Sequence, residues 1–210
     1  MSTRGGVVER FISQKVTTHY REERPTKHHG TELRWLINEE SVKDTSTGEV
    51  ITRGVLRHPG ICVIVPLLSP DQILLMRQYR FAAGQELWEL PAGTISGEER
   101  DQRMVATESP EACAARELLE ESGYEAGRIR KMAECFAMPG SSDEMIYIFL
   151  ATELIKRQQS LDIGEMISEI RPFTAGEISG MISRNEIRDA KTLIGLFFAL
   201  GRQPNGLQIA

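Results

Sequence analysis

The chain has 210 residues, with 25 basic and 30 acidic side chains, a formal net charge of −5 at pH 7 and 40% hydrophobic residues. This is the composition of an ordinary globular protein with one good core, or of a domain with an arm, and its mildly acidic balance argues against a nucleic-acid binder with a basic face. No apolar run reaches the ~18 residues of a membrane span, and three cysteines (Cys62, Cys113, Cys135) are too few for a disulfide framework, which points to a reducing, cytoplasmic setting.

The opening MSTRGGVVERF lacks the apolar stretch of a signal peptide. The first thirty residues are polar and mixed, and REERPTKHHG reads as a loop. Its His28 and His29 have no third ligand near them in sequence and are poor evidence for zinc. From Glu32 the pattern alternates through Leu33, Trp35 and Ile37, turns at DTSTGE, and resumes at Val50, Thr52 and Val55, which predicts a hairpin or small meander over about 32–57. The runs 61–68 (ICVIVPLL) and 73–79 (ILLMRQY), separated by SPDQ, read as paired strands of a buried sheet. His58, before Pro59, reads as a turn residue. ELWEL at 86–90 is a further strand, stopped by Pro91-Ala92-Gly93.

A helix is predicted from Ser109, a good N-cap, with Pro110 in its first turn and Gly123 as terminator. Strand signals return at 131–137 and 145–151. Thr174 and Glu177 have capping-box spacing before a short helix, and Asp189 is placed to cap a last one, AKTLIGLFFAL, closed by Gly201. Strands and helices therefore interleave behind a small β element, the pattern of an α/β or α+β core with an N-terminal arm.

The helix over 108–124 is unusually acidic, carrying Glu108, Glu111, Glu117, Glu120 and Glu121 against Arg116 alone. Glu117, Glu120 and Glu121 fall within an arc of roughly 100° on one helical face. A like-charge pair such as Glu117–Glu121 costs about 0.2–0.5 kcal/mol, and anions in a last turn oppose the helix dipole. A divalent cation would remove both penalties. Clustered carboxylates without sulfur or imidazole suit a hard ion, Mg²⁺ with Mn²⁺ as the alternative. Taken alone, E-x-x-E-E is more often a solvated acidic face.

Its neighbours change that reading. RELLEESGY at 116–124 matches the R-E-U-x-E-E-x-G-U part of the Nudix box, where U is a bulky apolar residue, and Glu108 stands at the spacing the box requires before Arg116. The chain thus resembles the Nudix hydrolases. LRHPGICVIVPLL, RQYRFAAG, LWELPAGTI and Pro139 resemble the ADP-ribose pyrophosphatase branch of that family. One feature departs from the box: the glycine expected six positions before Glu108 is Gln102. Gly93 is the natural counterpart, which implies nine inserted residues within about 97–107, read as a lengthened surface loop. The alternative keeps Glu99 as the first box glutamate.

The resemblance implies a Nudix-type mixed sheet sandwiched between helices. Residues 1–57 would form a β-rich, dimer-forming arm and residues 58–210 the hydrolase domain. It implies metal-dependent hydrolysis of ADP-ribose to AMP and ribose 5-phosphate, with GDP-mannose or another NDP-hexose as the second reading. A non-cleaving nucleotide-binding regulator would be expected to have lost a metal glutamate, and none is missing. Metal ligands would be Glu117, Glu120, Glu121 and the carbonyl of Ala92. Arg116 would hold the carboxylates, and Glu120 would also serve the reaction. The general base falls on a glutamate after the box, for which Glu165 fits better than Glu169.

For substrate binding, Arg77 and Arg80 are three apart and cannot both face one side of a regular strand; the resemblance, in whose QYR pattern the second arginine faces the site, implies Arg80. Gly140 and Glu144 in PGSSDE would meet phosphate or ribose, against a plain polar turn. Trp35 would stack on a purine, against a core or interface role. Trp88 reads as a packing residue. The expected partners are a nucleoside diphosphate derivative and a second copy of the chain, with no nucleic acid and no membrane.

Overall fold

A computed structural model describes residues 10–26 and 30–201. Strands β1 (Phe11–Thr26), β2 (Gly30–Asp44) and β3 (Val50–Arg57) form an antiparallel sheet in that order, an N-terminal β-rich arm. The hairpin read over 32–57 is β2 and β3. Residues 21–26, read as loop, are instead the end of β1, while His28 and His29 lie outside the described residues. The physical reason is in the register. Against β2, β1 carries an extra residue at Gln14 and again at His19. Each bulge shifts the side chains that follow to the other face, so no period-2 pattern survives, and as an edge strand β1 stays largely exposed.

The rest of the chain follows with β4 (Ile61–Ser69), β5 (Gln72–Arg80), β6 (Gln85–Glu89), β7 (Ala92–Thr94), β8 (Gly97–Arg100), β9 (Arg103–Ala106), α1 (Pro110–Ser122), β10 (Tyr124–Phe136), β11 (Met145–Lys156), β12 (Ile167–Thr174), α2 (Ala175–Ser183) and α3 (Ala190–Leu200). The mixed sheet runs β10-β11-β4-β5-β12, with β6 on β5 and β7 on β4. Strands β4 and β5, expected as a pair, bond only beside their turn, at Leu67–Ile73 and Ser69–Gln72. Beyond it they diverge. Strand β4 takes β11 in parallel and β7 antiparallel, and β5 takes β6 and β12.

Strand β4 reads as a continuous apolar run because both its faces are covered. Cys62 and Ile64 pack with Cys113, Ala114 and Leu118 of α1, and Val63 and Val65 pack with Ile178 and Met181 of α2 and Leu196 of α3. Each such aliphatic side chain contributes about 1.5–3 kcal/mol on full burial. The molecule is α+β, a mixed sheet between helices with a β-rich arm. All three cysteines are free thiols. Among the described residues no helix is long and apolar enough to cross a membrane.

The insertion is not a free loop. It folds as the hairpin β8–β9, with Asp101 and Gln102 at φ 51° and 61°, the mirror-image geometry that suits a two-residue hairpin turn. It packs under the arm. Asn38, fully buried on β2, donates to the Gln102 carbonyl at 2.8 Å, and Arg21 of β1 grips Glu99 through two nitrogens at 2.7 and 2.9 Å. Arg57 ties the arm to the other side, pairing Glu40 at 2.5 Å and Asp143 at 2.8 Å.

Candidate active site

Helix α1 begins as its sequence dictates. The Ser109 hydroxyl accepts from the Ala112 N–H at 3.1 Å, Pro110 follows, and Gly123 closes the helix at φ 69°. The helix buries Cys113, Ala114, Glu117, Leu118 and Glu121, so its inward face carries two carboxylates among apolar side chains. From the loop before β12 comes Glu165. Carboxylate oxygens of Glu117, Glu121 and Glu165 lie within 4.8 Å of one another. Glu165 is fixed by the Asp162 N–H, which donates to its Oε2 at 2.7 Å. Glu169 points elsewhere, pairing with Arg171 at 3.0 Å on an exposed strand.

Gly93 lies directly beneath this cluster. A Cβ there would sit 1.8 Å from the Glu117 carboxyl, so only glycine lets Glu117 approach the strand. This supports Gly93 as the box glycine. The next residue inward, Ala92, donates its N–H to Glu121 Oε2 at 2.8 Å. Glu108 completes the box: it pairs with Arg116 at 3.0 Å and accepts from the Ser96 N–H. Glu99, its rival, is occupied by Arg21 of the arm. Arg116 is held by three carboxylates, Glu108, Glu117 at 2.8 Å and Glu120 at 3.0 Å. Glu120 thus shares Arg116 Nη1 with Glu117 and lines the same cavity, outside the trio of converging oxygens.

The electrostatics are those of anions kept from water. Burial pushes Glu117 up to about 7, against the pull of Arg116. Burial, then the charges of Glu117 and Glu165, raise Glu121 well above the usual carboxylate range. Burial raises Glu165 too. Burial would also raise Glu108, but its hydrogen bond and ion pair with Arg116 hold it below the usual range.

The remaining residues singled out from sequence fall around this centre. Arg80 closes its fork on the fully buried Glu89, at 2.8 and 2.6 Å, and its charge reaches Glu121. Glu89 also takes Lys191 at 2.9 Å. Glu144 lies half-buried near Lys191, raised by burial. Around Gly140 a Cβ would meet nothing within 4 Å. Trp35 stacks on Tyr20, centroids 5.5 Å apart, on the opposite side of β2 from the buried Leu36 and Asn38. His58 is a turn residue whose Nδ1 accepts from the Gly60 N–H, and Trp88 packs edge-on against Phe173.

From the arm the sequence pointed to Trp35 alone, and three other arm residues reach the site. The cavity over the carboxylates is lined by Thr26, Glu32 and Arg34 of the arm as well as Arg116, Glu117, Glu120, Ser160, Asp162 and Glu165. A neighbouring open cleft of about 430 Å³ shares Glu32 and runs between β2 and the base of the β8–β9 hairpin. No local pattern marks these residues, because their role depends on how the arm docks.

Comparison with known proteins agrees with this geometry. The NUDIX domain matches residues 56–194. The chain is 31% identical over 147 residues to the ADP-ribose pyrophosphatase of Bacillus subtilis (strain 168), spanning 69% of this chain and 74% of that protein. It is also 31% identical over 145 residues to the GDP-mannose pyrophosphatase of Citrobacter koseri, spanning 66% and 71%. In fold it is similar to the crystal structure of an ADP compounds hydrolase, with a TM-score of 0.71 at 18% identity, over 96% of this chain and all of that one. The chain belongs to the Nudix family. Within that family it is a pyrophosphohydrolase of the ADP-ribose pyrophosphatase-like branch.

Proposed function

We propose that the protein hydrolyses the diphosphate of ADP-ribose, giving AMP and ribose 5-phosphate, with Mg²⁺ as cofactor. The observation that carries this reading is the convergence of Glu117, Glu121 and Glu165 under one cavity. Two buried carboxylates and a half-buried third, all with raised proton affinity, fit a hard divalent ion, and an oxygen-only donor set selects Mg²⁺ or Mn²⁺. Glu117 and Glu121 would hold it, with the Ala92 carbonyl and Glu120 as further ligands. When bound, the ion neutralises charge on the phosphate oxygens and lowers the pKa of water.

The chain's own residues do the rest. Glu165 takes the proton of the attacking water, its raised pKa bringing it nearer the working pH of a general base. Arg116 keeps Glu117 and Glu120 in register. Arg80 faces the diphosphate from beside Glu121, and Glu144 and the Gly140 N–H serve the ribose end. The 430 Å³ cleft falls within the ~300–1,000 Å³ range of small-molecule sites and takes one half of the substrate.

Trp35 and Tyr20 lie on the arm's outer face with the exposed Ile12, Ile37 and Val50. Such an apolar face supports a dimer formed through the arm, where Trp35 would reach a purine only in the partner's site. A domain division at 57/58 is supported by the arm sheet ending at Arg57. A second substrate, GDP-mannose, is supported by the Citrobacter koseri relative. Incubation with ADP-ribose, GDP-mannose and other NDP-hexoses plus Mg²⁺, with product analysis, separates the two. AMP and ribose 5-phosphate from ADP-ribose at the highest kcat/KM is the expected result; preferential cleavage of an NDP-hexose would replace it.

A further inference from the structure

The arm brings to the carboxylates an arginine that the reading above does not use. Trp35 pairs with Glu22 and Leu33 with Glu23, so Arg34 is the extra residue of a β-bulge on β2. A bulge re-aims a side chain that regular alternation would place elsewhere. Arg34 lines the cavity together with Glu117, Glu120 and Glu165. Among the described residues its guanidinium pairs only with Glu32, at 3.6 Å, beyond a normal hydrogen bond, and its charge also reaches Glu165. The other arginines of the site are partly committed, Arg116 to three carboxylates and Arg80, through Nε and Nη2, to Glu89, so Arg80 would share the diphosphate with a second cation. An anionic diphosphate approaching a wall of carboxylates needs a cation whose donors are available.

We propose that Arg34 binds the substrate's diphosphate, and that the inserted hairpin β8–β9 is the clasp that holds it over the carboxylates. This rests on the pyrophosphatase reading above. The planar fork of a guanidinium matches two phosphate oxygens, and binding substrate would replace the long contact to Glu32. The clasp acts on the same stretch of arm. Arg21, which grips Glu99, lies opposite Leu36, two residues from Arg34, and Asn38 bonds the hairpin's turn. The hairpin is also where this chain departs from the Nudix spacing, so the clasp belongs to this chain and not to the box.

The test compares wild type with Arg34→Gln, Arg34→Lys, Glu99→Ala and the double variant Arg34→Gln/Glu99→Ala, using ADP-ribose and Mg²⁺. Arg34→Gln is expected to raise KM about tenfold or more, the usual scale for losing a charged hydrogen bond. Its kcat should stay within about threefold, the signature of lost uniform binding. Arg34→Lys should recover part of the loss. Calorimetry with the α,β-methylene analogue of ADP-ribose should show affinity weakened by a similar factor. Glu99→Ala should raise KM less and add nothing to Arg34→Gln. Wild-type KM and analogue affinity in a folded Arg34→Gln variant would overturn the binding role, and additive effects in the double variant would overturn the clasp. A wild type that cleaves no nucleoside diphosphate derivative would instead overturn the underlying reading.

Discussion

Glu117 and Glu121 are placed where a protein built only for stability would put leucine. They occupy the inward face of α1 beside Leu118 and Cys113, and burial raises the proton affinity of both. Replacing Glu121 by Gln removes the cost of either burying a charge or taking up a proton on folding, while keeping the shape and an acceptor for the Ala92 N–H. In metal-free protein Glu121→Gln is therefore expected to raise Tm, since a gain of about 1 kcal/mol corresponds to roughly 2–4 °C for a domain of this size. The same variant should lose metal-dependent turnover. Thermal melts and a product assay on one preparation check both halves.

Gly93→Ala probes the opposite face of the contact. The added methyl meets the Glu117 side chain, its Cδ and Oε1 at 1.8 Å and its Cγ at 2.4 Å, so Glu117 must swing aside. The fold should survive with an unchanged circular dichroism spectrum, and turnover should fall about 100-fold, the scale of an ångström's misplacement at a reacting centre. The helical spacing of Glu117 and Glu121 was legible in the sequence. The meeting with Glu165, and the turning of Glu120 toward Arg116, were not readable from spacing, because both depend on how the loop before β12 and the Arg116 guanidinium pack.

At the level of elements, α1, α2 and α3 were readable from their caps, since Ser109, Thr174 and Asp189 all accept from backbone N–H groups as expected. Strands β4 and β11 announced themselves through uninterrupted apolar runs. Strand β1 did not, because its bulges destroy the alternation on which the reading depends. The hairpin β8–β9 was taken for a loop because GEER has no apolar side chain and the apolar residues of RMVA are consecutive, so neither shows a period of two; a turn with two non-glycine residues at positive φ gives no glycine signal either. Its removal should matter. Replacing residues 98–105 by a short turn leaves buried Asn38 without the Gln102 carbonyl, a loss of about 1–3 kcal/mol. The variant is expected to fold with a lower Tm and to be nicked faster by protease within the arm; an unchanged Tm and digestion rate would show that the hairpin bears nothing.

For the whole molecule, the carboxylate trio sets how stability depends on pH. A carboxylate whose pKa is higher folded than unfolded takes its proton first in the folded state, so stability rises as pH falls through the folded value. For Glu117, raised from 4.5 to about 7, that rise begins near pH 7 and continues toward 4.5, and the raised Glu121 adds in the same direction. His58 opposes it only at lower pH. Burial lowers it to about 4 from 6.5, and the stability its neutral form contributes is lost below 6.5. Metal-free protein should therefore melt at higher temperature at pH 6.5 than at pH 8. Saturating Mg²⁺ should reverse the trend, because ligand carboxylates must be deprotonated to bind.

The central claim is that Glu117, Glu121 and Glu165 converge to hold a divalent cation. The most direct measurement is anomalous diffraction from crystals soaked in Mn²⁺. The account requires a Mn²⁺ peak between the Glu117 and Glu121 carboxylates, beneath Glu165. An empty position at saturating Mn²⁺, with those side chains turned away from one another, would contradict it.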